Sequence, residues 1–232
     1  MAATDTGAAA SAPLRWGLRL IGIAGIVLLA VWLYWLTGPT DIDKDTKRYV
    51  DWTIGAGFAS GLVYLLGLAA LILGLVALYA LLARGAERGL ALGGLVLGVV
   101  GTSLLLAMFG TLTMGSVAVA IAYRDGNTGV VPAMHNLSGG EFPAVLNFVF
   151  FAAALLCLLS AVAYGMAIWR AGAFPKWTAI VFGLGFVLIA ASIPFTAYPG
   201  GILLAVAGFG LAHAFDHQPA GRLARTAEGS MA

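Results

Sequence analysis

Charged residues are what this sequence has least of. Only 9% of its 232 positions are Asp, Glu, Lys or Arg, where a soluble domain carries about 25%. A soluble fold of this length needs a polar shell, and this chain cannot supply one. Its 61% apolar content must face lipid instead of water. A net charge of +2 offers no basic surface for nucleic acid. The single cysteine, Cys157, excludes a disulfide framework within the chain. Its place inside an apolar run reads as small packing material.

The apolar runs have gaps of their own. None carries Asp, Glu, Lys, Arg or His at mid-depth. Such groups are expensive in a bilayer and mark function when present. Their absence argues against a proton pump, an ion-coupled antiporter, a voltage sensor and an intramembrane aspartyl or metalloprotease. A retinal protein would need a lysine within a span, and there is none. The chain also lacks a Gly-rich phosphate loop, a Gly-x-Ser-x-Gly elbow, His-Glu-x-x-His and Cys-x-x-Cys. No cofactor is implied.

What is present is hydrophobic length. A helix needs about 20 apolar residues to cross the ~30 Å hydrocarbon layer. Six stretches qualify, at about 18–36, 58–83, 89–123, 144–169, 177–193 and 200–215. The expected fold is all-α, a polytopic six-span bundle over residues 15–217 with disordered tails at 1–14 and 218–232. The first stretch reads as an anchor. Its apolar run, Leu20 to Leu36, exceeds a signal peptide's core of about 7–15 residues, and no small-x-small cleavage site comes after it. The third is too long for one crossing, since its 35 residues would extend about 52 Å as a helix. It is expected to tilt, to kink near Gly110 or Gly115, or to project beyond the membrane. The sixth is short and opens at Tyr198-Pro199-Gly200-Gly201, where a proline is tolerated at a helix start.

Basic residues collect on the cytoplasmic side. With the N-terminus inside, Arg15, Arg19, Arg84, Arg88, Arg170, Lys176, Arg222 and Arg225 lie inside, eight of the 12 Lys and Arg. Lys44, Lys47, Arg48 and Arg124 lie outside. Six spans return the C-terminus to the cytoplasm. Trp32, Tyr34, Trp35, Trp52, Tyr123, Trp169, Trp177 and Tyr198 fall near predicted span ends, as interfacial aromatics do. This predicts a plasma-membrane protein with both termini cytoplasmic. Two outer loops, about 38–57 and 124–143, are long enough to have form. Ser138-Gly-Gly-Glu141 matches a capping box before the fourth span.

Lipid is as apolar as leucine, so helices must associate by close packing and a few polar contacts. Gly57/Gly61, Gly89/Gly93 and Gly94/Gly98 have the four-residue spacing that lets backbones approach. Thr102, Thr111 and Ser116, with Ser103 and Thr113, make the third span the richest in hydroxyls. They could bond their own backbone or line a path. Asn147 is the only amide within the spans and is expected to bond a neighbouring helix. His213 and His217 lie four apart around Asp216. That spacing can present two imidazoles to a metal; the alternative is a polar helix end that interacts well with its last carbonyls.

Two cytoplasmic hairpins look alike. One runs from Tyr79 through Arg84 and Arg88, the other from Tyr164 through Arg170 and Lys176, which hints at a parallel duplication. The Tyr79–Gly101 stretch and Arg170-Ala-Gly-Ala-Phe-Pro-Lys176-Trp177 resemble a broad group of uncharacterised bacterial multi-pass membrane proteins. The resemblance covers spans two to six and rests on composition and short turns. It implies fold and location, and no activity. The leading expectation is a non-enzymatic scaffold, accessory subunit or sensor, with the bilayer, a partner membrane protein or a second copy of itself as partners. The alternatives are a carrier or channel for a neutral or lipid-like solute and an enzyme acting at the membrane surface.

Overall fold

A computed structural model describes residues 6–39, 42–139, 144–191 and 194–217. These residues form helices and no strand. α1 spans Thr6–Trp35. α2 (Thr46–Trp52) passes through a π-helical turn at Thr53–Gly57 into α3 (Phe58–Leu82). α4 spans Arg88–Arg124. A 3₁₀ turn at Thr128–Val130 leads into α5 (Val131–Gly139). α6 (Ala144–Ala171), α7 (Lys176–Ala190) and α8 (Pro194–Asp216) complete the order.

Five helical stretches are long and apolar enough to cross a bilayer: Ala12–Trp35, Thr46–Leu82, Arg88–Arg124, Ala144–Ala171 and Thr196–Asp216. These are the helices of a membrane protein. Their outward faces carry Leu66, Leu73, Phe148 and Phe151, all exposed, a surface that only lipid can solvate.

The expected fifth span, 177–193, falls short. α7 has 15 residues, about 22 Å of helix. Pro194 opens α8. A proline disfavours helical geometry in the residue before it and suits a helix's first position. α8 therefore begins well before the expected Gly200 and takes Pro199 inside it. α1 also starts early, at Thr6, within the segment 1–14 expected to be unstructured. The run Ala8-Ala9-Ala10-Ser11-Ala12 is rich in the best helix former. The expected C-terminal tail, 218–232, and Glu141 of the capping box lie outside the described residues.

The overlong third segment runs as one helix of 37 residues without a break at Gly110 or Gly115, about 55 Å long. Its last turns leave the bundle. Ala120 is buried there with Ile42, Val50 and Met134, and Tyr49, Ile54, Val119, Tyr123 and Val130 pack around them. The two long loops thus build a small helical cap around the end of α4. Asp45 caps α2 by accepting from the Arg48 amide at 3.0 Å. His135 Nε2 on α5 lies 3.2 Å from Asp43 Oδ1.

The six long or apolar helices pack in a ring in the order α1, α3, α4, α6, α7, α8, with α8 closing on α1. Every neighbour pair is antiparallel, as the small-residue contacts show. Along α1, Gly22 meets Phe209 and Gly25 meets Gly201 and Ala205 of α8. Gly17 and Gly67 pair Ala77 on α3 and Leu28 on α1 in the same inverted sense. Gly94, Gly98 and Gly101 of α4 descend along Tyr164, Ser160 and Cys157 of α6. Gly185 and Gly200 bring α7 and α8 together. Inside the ring lie Leu68, Leu71, Leu75, Tyr164, Phe182 and Phe186, each 0% or 1% exposed. The Tyr164 hydroxyl crosses from α6 to donate to the Leu75 carbonyl of α3 at 2.8 Å.

The tightest seam is α1 on α8. A Cβ on Gly208 would fall on the backbone nitrogen of Gly22, so no other residue fits there without parting the helices. Gly93 has open space around the same point. Overpacking costs about 1–3 kcal/mol. Gly208→Val is therefore expected to lower the melting temperature of the detergent-purified protein clearly, while Gly93→Val leaves the stability within about half a kcal/mol of wild type. Equal melting of the two variants would contradict the seam.

Candidate functional site

The cap sits over the ends of α1, α3 and α4 and leaves a cleft of about 360 Å³ between itself and the bundle. Small-molecule sites start at about this size. The π-turn at Thr53–Gly57 forms one edge of it. A π-turn inserts a residue into a helix and shifts the register of the turns beyond it, and such turns recur at functional sites. Here it faces Trp52 back over the chain. A Cβ on Gly38 would meet the Trp52 ring at 2.7 Å, and one on Gly57 would meet it at 2.8 Å. The indole is held between two glycines and forms a wall of the cleft.

The floor is aromatic. Trp35 and Phe109 line the cleft from α1 and α4, and Tyr64 of α3 joins them, with ring centroids 5.4 Å from Trp35 and 4.7 Å from Phe109. Trp32 meets Trp35 edge-on at 5.2 Å. Trp35 Nε1 donates to Ser60 Oγ at 2.8 Å, and Ser60 Oγ donates to the Gly57 carbonyl at 2.9 Å. This relay fixes the Trp35 indole against the exit of the π-turn.

The polar groups are hydroxyls. Thr53 donates to the Tyr49 carbonyl at 2.8 Å. Thr113 and Ser116 of α4 also line the cleft. No charged side chain is among the described lining residues. A surface of this kind can hold an uncharged, partly apolar molecule by stacking and one or two hydrogen bonds.

The residues expected to matter from the sequence fall into three places. Gly94, Gly98 and Thr102 lie in the α4–α6 seam. A Cβ on Gly94 would meet the Tyr164 ring at 2.8 Å, and one on Gly98 would meet Ser160 Oγ at 2.5 Å. Ser160 Oγ donates to the Gly94 carbonyl at 2.7 Å. Thr102 is fully buried beside the Cys157 thiol. Thr111 is exposed and donates to the carbonyl of Ala107 on its own helix at 2.9 Å. Ser116 alone of the three named hydroxyls reaches the cleft, so they do not line one path. Asn147 is exposed in the first turn of α6.

His213 and His217 occupy the opposite end of the bundle. Their rings lie 4.1 Å apart, and His217 Nδ1 is 2.9 Å from the His213 carbonyl. Asp216 between them is engaged by Arg15 Nε at 2.7 Å and Arg19 Nη2 at 3.5 Å. Zinc takes three or four protein ligands. No cluster of three His, Cys, Asp or Glu able to hold a metal exists among the described residues. The two rings sit at the end of α8, where Asp216 ties α8 to α1. No family model, curated protein or solved structure matches this chain.

The cleft escaped the sequence because Trp35 and Trp52 read there as interfacial aromatics. Gly38 and Gly57, whose Cβ positions both meet the Trp52 ring, lie 19 residues apart and carry no local mark of their meeting. The Asp216 clamp was hidden by 197 residues of separation from Arg19. Exposed ion pairs contribute about 0–1 kcal/mol and are screened by salt. Asp216→Asn is expected to destabilise by no more than that, and the difference from wild type should shrink in melts at high salt.

Proposed function

We propose that this chain is a six-span plasma-membrane protein with both termini in the cytoplasm, acting as a non-enzymatic sensor or accessory subunit that holds a neutral, partly apolar molecule under its outer cap. The observation that carries this reading is the uncharged cleft, walled by Trp35, Trp52 and Phe109 and offered the hydroxyls of Thr113 and Ser116. A carrier or channel has less support. The middle of the ring is occupied by Leu71, Leu75, Tyr164 and Phe182, and Thr102 sits in a seam.

The sixth crossing is supported by packing. α7 lies antiparallel between α6 and α8, the placement expected of a helix that carries the chain back across. A span somewhat short of the hydrocarbon thickness is accommodated by local thinning at modest cost. The basic residues support the orientation: Arg84, Arg88, Arg170 and Lys176 gather at the end away from the cap, where α1 starts and α8 stops. Cys157 is buried and leaves a quiet background for thiol labelling. Thr128→Cys in the cap should react with a membrane-impermeant maleimide on intact cells, and Ala86→Cys only after permeabilisation. The reverse pattern would invert the topology.

The cleft itself is tested by native mass spectrometry of protein extracted gently from its own membrane. The wild type is expected to carry a defined small neutral mass. Ser116→Phe, which fills the cleft, should lose it, and Met114→Phe on the exposed face of α4 should keep it. A stoichiometric second protein beside that mass would mark the accessory-subunit form. A bound mass indifferent to Ser116→Phe would remove the cleft from the function.

A further inference from the structure

A second concavity lies on the outside of the bundle, far from the cap. α6 and α7 leave a groove of about 410 Å³ between Val162, Gly165, Met166 and Trp169 on one side and Ala179 and Ile180 on the other. Gly165 makes it. A Cβ there would meet only the Ala179 carbonyl, at 3.6 Å, so a trench opens where any larger residue would fill it. Val162, Met166 and Ile180 are exposed along its walls. The trench runs along the helix axis for about two turns, from Val162 toward Trp169.

Its two ends differ. The Val162 end is wholly apolar. The other end closes at Arg170, and the Lys176 Nζ lies 5.0 Å from the ring centroid of Trp169 in the groove wall. Trp169 and Trp177 are both exposed at this level, where indoles sit at the lipid headgroups. Acids there are few among the described residues. Asp216 is held by Arg15 and Arg19. Glu87 reaches Arg170 only at 4.0 Å and shares its hairpin with Arg84 and Arg88. The end of the groove is therefore cationic.

We propose that this groove binds one anionic phospholipid, with an acyl chain along Gly165 and the headgroup phosphate between Arg170 and Lys176. An apolar trench with bases at one end complements a molecule that is apolar along its length and anionic at its head. Basic pockets between spans recognise anionic headgroups in this way. A partner helix is about 10 Å across, wider than a trench opened by a single glycine.

The test is native mass spectrometry of the full chain in nanodiscs of equal parts phosphatidylglycerol and phosphatidylcholine. Wild type should retain one phosphatidylglycerol in preference to phosphatidylcholine. Each base near the surface is worth about fivefold in binding, so Arg170→Gln with Lys176→Gln should cut that retention by about 25-fold. Gly165→Leu should abolish it with every charge intact. Arg170→Lys with Lys176→Arg should preserve it, which separates lost charge from lost fold. Equal retention of both lipids by wild type, or unchanged retention in the double Gln variant, would overturn the proposal. Displacement by soluble glycerol phosphate at millimolar concentration would also overturn it, because the site would then read a free phosphate and not a lipid.

Discussion

Backbone-to-backbone approach is the constraint on which the rest of this fold depends. In water a helix is pressed onto its neighbours by burying apolar surface; in lipid that force is missing, because the tails are as apolar as the side chains. What remains is dispersion and a few hydrogen bonds, and both grow as the axes come closer. The ring closes through four seams where one side gives up its side chains. Gly22 and Gly25 face Gly208 and Gly201, Gly94 to Gly101 face α6, Gly185 faces Leu204, and Gly74 faces Ile21. The large residues then have a place to go. Tyr164 is fully buried against Gly94, whose missing side chain leaves its ring the volume.

The few polar groups obey the same logic. With no water in the hydrocarbon, a hydroxyl must find a backbone carbonyl or stay unpaired at a cost. Ser160 takes the Gly94 carbonyl, an oxygen made reachable by the absence of side chains on the facing helix. Tyr164 reaches the Leu75 carbonyl and ties α6 to α3 across the ring. Thr111, with no helix close enough, turns back to its own Ala107. Close approach therefore decides which hydroxyls become interhelical links. The described ion pairs are kept to the two rims, Asp216 with its arginines at one and His135 with Asp43 at the other.

This is also why some of the architecture was legible in the sequence and some was not. Hydrophobic length is a local property, so five of the long helices could be placed from it, while the excess length of α4 left a tilt, a kink and a projection equally open. Gly94 and Gly98 have the spacing of a contact face, and they sit in one. The α1–α8 seam has no such local mark, since its halves lie at opposite ends of the chain and Gly201, Ala205 and Gly208 look like scattered small residues until α1 is laid beside them. α7 was overextended because apolar residues continue past its end at Ala190, and hydropathy does not record where a helix stops. The cleft was least legible of all. It depends on loops 42–57 and 125–139 meeting, and the fold of a loop over another loop has no periodicity to read.

The division between a filled interior and an open rim constrains what such a protein can do. Moving a solute through the ring would require Leu71, Leu75, Tyr164 and Phe182 to part, and with them the Tyr164–Leu75 bond that holds α3 to α6. Interfaces packed this closely are bistable at best and do not deform continuously. The cap has no such burden. Its own core is small, with Ile42, Val50, Ala120 and Met134 buried, so it can shift at little cost. It is coupled to the bundle through two rigid paths, the uninterrupted α4 and the helix running from α2 through the π-turn into α3. A molecule wedged between Trp35 and Trp52 would press on both paths at once. The π-turn lies on one of them, and a turn with an inserted residue can take up a change in register that an α-helix would resist. Occupancy of the cleft could thus be felt at the far rim without opening the ring, which is the physical basis for proposing a sensor over a conduit.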